Sequence, residues 1–135
     1  MDTIRLNRFP SSSIRSDGES FHQIIENNSS ITNGFITFNR DILDIIETKR
    51  VNLIKDDFSK LLNRKPNLIC LCNVLIYMDS AIRKSIIDRA VDILEYGGYL
   101  LLSSSNTAFV EHPELELLER DSCFYFKKIE RDANE

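Results

Sequence analysis

Glycine is scarce in this chain: four residues in 135, none arranged as Gly-x-Gly. A glycine-rich phosphate loop of the kind that opens many nucleotide-binding folds is therefore absent from these residues. No apolar run approaches the roughly 20 residues that span a bilayer, which argues against membrane insertion. The opening MDTIRLNRFP lacks the apolar core of a signal peptide. The three cysteines, Cys70, Cys72 and Cys123, fall inside apolar, strand-like runs. Cys70 and Cys72, two apart, share a face of an extended segment. With no second cysteine pair and with His22 and His112 far off in sequence, no metal site is expected. Free thiols in a reducing cytoplasm is the better reading. Positive charge is also thin. The net charge is −4 and the pI about 5.2, and the Lys and Arg residues are scattered, so no nucleic-acid partner is expected. Lys127, Lys128 and Arg131 stand among Glu130 and Asp132, which reads as a solvated terminus.

What is present suffices for one domain with one core: 42% apolar and 28% charged residues. Residues 1–40 are polar and weakly periodic, and 1–49 read as a poorly ordered or irregular lead-in. Within them SSSIRSDGES reads as loop, FHQIIEN as a short helix at best, and 41–49 as a short helix capped by Asp41 or an extended segment. RVNLI at 50–54 is strand-like, and DDFSKLLNR suggests a turn or two of helix. From Pro66 the pattern sharpens into a 50–130 core. NLICLCNVLIY is a continuous apolar run, as in a strand buried on both faces of a parallel sheet. Asp79 or Ser80 caps a helix over about 80–95, with Ile82, Ile86, Ala90 and Ile93 or Leu94 forming its buried stripe. Gly97 and Gly98 end it, and YLLLSSS is the next strand. ELELLER reads as a short helix or bend, and SCFYFKKIE as a strand at a sheet edge. Strand, helix and strand within about 40 residues make a βαβ unit.

At Asn73-Val74-Leu75-Ile76-Tyr77-Met78-Asp79 the chain resembles the CheR-type protein-glutamate O-methyltransferases. These carry a Cys-Arg-Asn-Val-Leu-Ile-Tyr-Phe-Asp segment at the end of their fourth strand. The helix that follows, and then Gly97-Gly98-Tyr99-Leu100, match the family in order. Ser103-Ser104-Ser105-Asn106 stands where the family has Gly-His-Ser-Glu. Val51, Leu53 and Asp57-Phe58 resemble its Val-x-Phe-x-x-x-Asn-Leu, and FPSSSI at 9–14 the segment after its second strand. The resemblance implies an α/β, Rossmann-like, S-adenosylmethionine methyltransferase fold over 1–135. That fold would be incomplete, lacking its first two strands and their acidic ribose ligand, and would end in a C-terminal antiparallel edge strand. It implies S-adenosylmethionine as cofactor, with Asp57 and Phe58 flanking the adenine. Cys72 and Asn73 would touch the amino-acid side, and Tyr77 would face the transferring methyl. It implies a chemoreceptor or another signalling protein as partner. Without strands one and two, NLICLCNV would present an open edge that favours self-association.

Blander roles stand beside these. Asn73 serves equally as a loop cap, Tyr77 as a ring half-buried with its hydroxyl in water, and Asp57 as an N-cap. Two departures bear on activity: Cys72 replaces the family's arginine and removes a five-donor cation, and the His and Glu of the Gly-His-Ser-Glu ending are gone. Three readings follow. The chain is a methyltransferase whose glycine-rich half comes from elsewhere, or a non-catalytic interaction module from that family, or an unrelated small α/β domain. Catalysis by the chain alone is not expected.

Overall fold

The computed structural model describes residues 2–14, 19–103, 107 and 110–130. Ser104, Ser105, Asn106 and Arg131, together with residues 15–18 of the expected loop, lie outside them. The chain divides into two compact units, Met1–Arg50 and Val51–Glu135.

The polar first unit is regular rather than irregular. It contains α1 (Asp2–Leu6), β1 (Phe9–Pro10), α2 (Glu19–Asn28), β2 (Ser29–Thr32), β3 (Phe35–Phe38) and α3 (Arg40–Asp44). The strands form an antiparallel sheet in the order β1-β3-β2. Its cause is local. Asn33 and Gly34 join β2 to β3 with φ of 51° and 75°, the left-handed pair a two-residue mirror-image turn requires, and Asn-Gly is its preferred sequence. Asn7 closes the sheet end, its amide donating to the Phe38 carbonyl at 2.7 Å and accepting from the Phe38 N–H at 2.9 Å. Ile36 is buried, with 2% of its surface exposed. FHQIIEN belongs to a ten-residue helix, longer than its pattern suggests. α3 starts after Asn39, so Asp41 lies in its first turn instead of capping it.

The second unit holds β4 (Leu68–Leu71), α4 (Ser80–Ile93), β5 (Tyr99–Leu102), β6 (Leu115–Arg120) and β7 (Cys123–Lys128). They form a mixed sheet in the order β4-β5-β7-β6, with β4 and β5 parallel and the other pairs antiparallel. α4 is the crossover between β4 and β5. Asp79 caps it, its carboxylate accepting from the Ile82 N–H at 2.9 Å, a contribution of about 1 kcal/mol. Ile86, Ala90 and Leu94 from the expected stripe are buried, joined by Ile87 and Val91, while Ile82 packs at the margin. They meet Leu100, Leu102 and Phe126 from the sheet.

Five expectations fail here, each for an identifiable reason. RVNLI is not a strand. The Asn52 side chain accepts from the Ile54 and Lys55 N–H groups, and Asp56 accepts from the Asn52 N–H at 2.7 Å. These side-chain bonds offer the backbone a closed turn that competes with pairing. The run NLICLCNVLIY yields only four strand residues. At Asn73 φ is 59°, and the chain leaves the sheet for a 3-10 turn at Leu75–Tyr77. β4 is not buried on both faces: it is an edge strand, with Ile69 and Leu71 against the core and Leu68 57% exposed. ELELLER is β6, because Asp121 and Ser122, with φ of 52° and 62°, close a tight hairpin to β7. The C-terminal antiparallel strand exists but is interior, with β6 outside it. Only its edge placement was wrong.

The remaining correction concerns Lys128, which is 3% exposed rather than solvated. Its Nζ donates to the carbonyls of Val91 at 2.6 Å and Leu94 at 3.1 Å, and lies 3.7 Å from Glu114 Oε2 and 4.7 Å from the Tyr96 ring centroid. It thus supplies a donor to the Leu94 carbonyl at the end of α4, and a second donor to that of Val91, which also accepts from the Leu94 N–H at 3.2 Å. Beside it Gly97 takes a φ of 74°, and its N–H donates to the Lys128 carbonyl at 2.9 Å. A Cβ on Gly98 would stand 2.8 Å from the Glu95 carbonyl and 3.0 Å from that of Asn67, so backbone approach excludes any side chain there.

Gly98→Ala should therefore lower stability by about 1–3 kcal/mol through overpacking, read as a smaller urea midpoint. Lys128→Met removes the lysine donor from the Leu94 and Val91 carbonyls and the charge partner of Glu114, and should cost about 2–4 kcal/mol; an unchanged midpoint in the same urea series would refute the capping role.

Candidate functional site

The sheet's one parallel pair gives it a chemical polarity. In open α/β sheets ligands collect beyond the carboxyl ends of parallel strands, where loops leave the sheet. The loop after β4 is Cys72-Asn73-Val74 followed by the Leu75–Tyr77 turn. Its anchor is Leu75, fully buried in the core shared with α4 and β5. Pinned there, the loop turns its other side chains outward: Cys72 and Asn73 are exposed, and Tyr77 is 84% exposed. The left-handed φ of Asn73 suits asparagine better than most residues, and holds its amide, a donor and an acceptor together, at the strand end. Cys72 Sγ lies 4.0 Å from the Leu101 carbonyl on the neighbouring strand. A thiol in that place makes one weak contact, where an arginine would offer five strong donors.

The second group lies before β4. Asp57 caps a 3-10 turn at Phe58–Lys60, accepting from the Ser59 N–H at 3.0 Å and the Ser59 hydroxyl at 2.7 Å. The Ser59 hydroxyl bond, then the Ser59 amide, with Lys60 adding to them, hold the Asp57 carboxyl below the usual carboxylate range. Phe58 is 8% exposed and belongs to the core. The Arg89 guanidinium covers it, 4.6 Å from the ring centroid. Phe58 therefore supports this segment from beneath, and only Asp57 faces outward.

The structure thus brings Cys72, Asn73 and Tyr77 into one loop, and Asp57 and Phe58 into another. Among the described residues no hydrogen bond or ion pair joins the two groups. What links them is the core, since Phe58 and Leu75 lie in the same cluster. An open pocket of about 260 Å³ between Leu62–Lys65 and the end of α4 at Asp92 and Ile93 includes none of the five. Among the described residues no group of His, Cys, Asp and Glu is arranged to hold a metal ion, and no helix is long and apolar enough to cross a membrane. Sequence reasoning passed over Arg89. It sits on α4 between Ile86 and Ala90, beside the buried stripe, and that position is the only signal of its role.

A mixed α/β unit with a polar, exposed loop at the carboxyl end of its parallel strand is the arrangement at which open α/β sheets bind ligands. The comparison with known families makes this specific: the model described as CheR methyltransferase, SAM binding domain, matches residues 19–123. The chain belongs to that family. No curated protein matches the chain significantly.

Asp57 supplies a check on the second group. Its lowered folded-state pKa means that the cap contributes above the ordinary aspartate value of 3.8 and is lost as pH falls through the lowered one. A carbon-detected NMR titration should place the Asp57 carboxyl below 3.8, and Ser59→Ala should move it back up.

Proposed function

We propose that this chain forms one flank of an S-adenosylmethionine-dependent methyltransferase site directed at glutamate side chains of a chemoreceptor or similar signalling protein. The observation that carries the reading is the exposed Asn73–Tyr77 loop at the carboxyl end of β4, inside the matched residues 19–123. The fold on this reading is Rossmann-like and lacks its first two strands. Its residues fit the cofactor in part. The Asn73 amide and the backbone of Cys72 suit the amino-acid end, and Asp57 suits the adenine edge. Phe58, packed beneath Arg89, supports Asp57 from the core side.

When bound, the cofactor supplies a methyl group on a positively charged sulfur. A glutamate carboxylate is already ionised at neutral pH and needs no base. What remains for the protein is alignment, and on this reading Tyr77, exposed at the loop end, orients the acceptor. The four glycines form no phosphate-binding pattern, so the chain by itself is expected to bind weakly and not to turn over. The loss of the family's arginine at Cys72 favours a second reading, a non-catalytic module that engages a signalling partner. The unpaired edge of β4 gives either form a surface for self-association.

Calorimetric titration with S-adenosylhomocysteine separates the two. The first reading expects saturable binding that Asn73→Gly abolishes. Glycine keeps the positive φ, so that variant removes the amide and leaves the turn intact. Absence of saturable binding in the unaltered chain would leave the interaction module.

A further inference from the structure

Arg89 is a heavily engaged polar side chain of the second unit that the site does not already include, with three hydrogen bonds and a ring contact. It projects from the third turn of α4, half-buried. Its Nε donates to the Ser85 carbonyl at 3.2 Å on its own helix. Its Nη1 donates to the Asp56 carbonyl at 2.8 Å, and its Nη2 to the carbonyl of Leu53. The guanidinium carbon lies over the Phe58 ring, 4.6 Å from its centroid. One side chain therefore grips three points in six residues of a segment that belongs to no strand and no α-helix.

That segment is organised within itself but not by itself. Asn52 and Asp56 close the turn at 52–56, and Asp57 closes the next at 57–59. Each is a local loop of side-chain-to-backbone bonds, which fixes shape but not location. Location comes from Phe58 in the core, from Val51, Leu53 and Leu61 packed against it, and from the Arg89 fork on the carbonyls of Leu53 and Asp56. The fork adds orientation. Apolar contacts are non-directional, and two hydrogen bonds from one planar group fix the backbone that they grip.

We propose that Arg89 is a positioning residue for the Asp57 side of the cofactor site. It locks residues 53–58 onto α4 so that the Asp57 carboxylate is presented at a fixed place. This rests on the reading above that Asp57 meets the adenine. The claim about the segment itself stands on the contacts of Arg89 alone. Lysine cannot substitute, because a single ammonium on a flexible stem lacks the planar fork that reaches two carbonyls from a position over the ring.

The test compares the full chain with Arg89→Lys and Arg89→Met, using amide hydrogen exchange resolved by residue and titration with S-adenosylhomocysteine and 5′-methylthioadenosine. Loss of charged hydrogen bonds should speed exchange at the Ile54–Ser59 amides by about tenfold or more in both variants. Exchange in α4 and β5 should hold close to that of the unaltered chain. Affinity for both ligands should fall by a similar factor, since they share the adenine. If exchange across 53–59 is unchanged, or if every amide in the unit accelerates alike, the positioning role is overturned. If the segment loosens as described but the unaltered chain binds neither ligand, Arg89 positions the segment and the adenine assignment to Asp57 is what fails. If the segment loosens and ligand affinity is unaffected, Arg89's link to the cofactor site is refuted.

Discussion

The end of α4 is where the second unit is held together, and the group that holds it is the buried ammonium of Lys128. A helix leaves its last carbonyls without partners, and a helix packed on a sheet cannot leave them all to water. Lys128 reaches from the last strand to the carbonyls of Val91 and Leu94, with Glu114 balancing its charge. The backbone around it completes the joint. Gly97 and Gly98 exchange hydrogen bonds with Lys128, Glu95 donates to Pro66, and Tyr99 to Asn67. The start of β4, the turn into β5 and the end of β7 therefore meet within a few residues. Burying a charge is costly unless it is paired and bonded, and here both conditions are met. The absent side chain of Gly98 is the other half of the joint, because only glycine lets these backbones approach so closely.

With that end fixed, the opposite end of the parallel pair is free to carry function. Leu75 is buried and its neighbours are not, so the loop after β4 is rigid at one residue and open at the rest. The Asp57 segment is built on the same scheme, with Phe58 buried, Asp57 outside, and Arg89 bracing the backbone between. In both places one apolar anchor and one exposed polar group lie within two residues of each other. That arrangement suits a binding surface, which needs fixed positions and accessible atoms together.

Much of this was legible beforehand. Asp79, the α4 stripe and the Gly-Gly turn were readable because capping, 3.6-residue periodicity and left-handed termination are local rules. The Asn73–Asp79 motif was readable because it is a contiguous match to a family pattern, and the match over residues 19–123 bears out the family. The Asn33-Gly34 hairpin was equally local and was passed over among polar neighbours. The composition of residues 1–49 hid a sheet that a single dipeptide specifies. RVNLI and ELELLER failed because a short apolar segment fits strand, helix or turn. What decided between them was side-chain bonding by Asn52 and Asp56 in one case and a hairpin partner in the other.

The sequence by itself determined the helix α4, its cap, the strands flanking it and the family, since these depend on neighbours within a few residues or on an unbroken motif. Only the tertiary structure decided that β4 lies at an edge, that β7 lies inside, that Lys128 is buried and that Phe58 faces the core under Arg89. Each depends on residues well outside its own element, some 26 to 37 positions away for the pairings of β4 with β5 and β5 with β7 and for the contacts of Lys128 with α4 and Phe58 with Arg89. The identity of a lysine or a phenylalanine does not specify which distant carbonyl or cation will meet it. Long-range pairing sets that, and it exists only once the sheet and helix have packed.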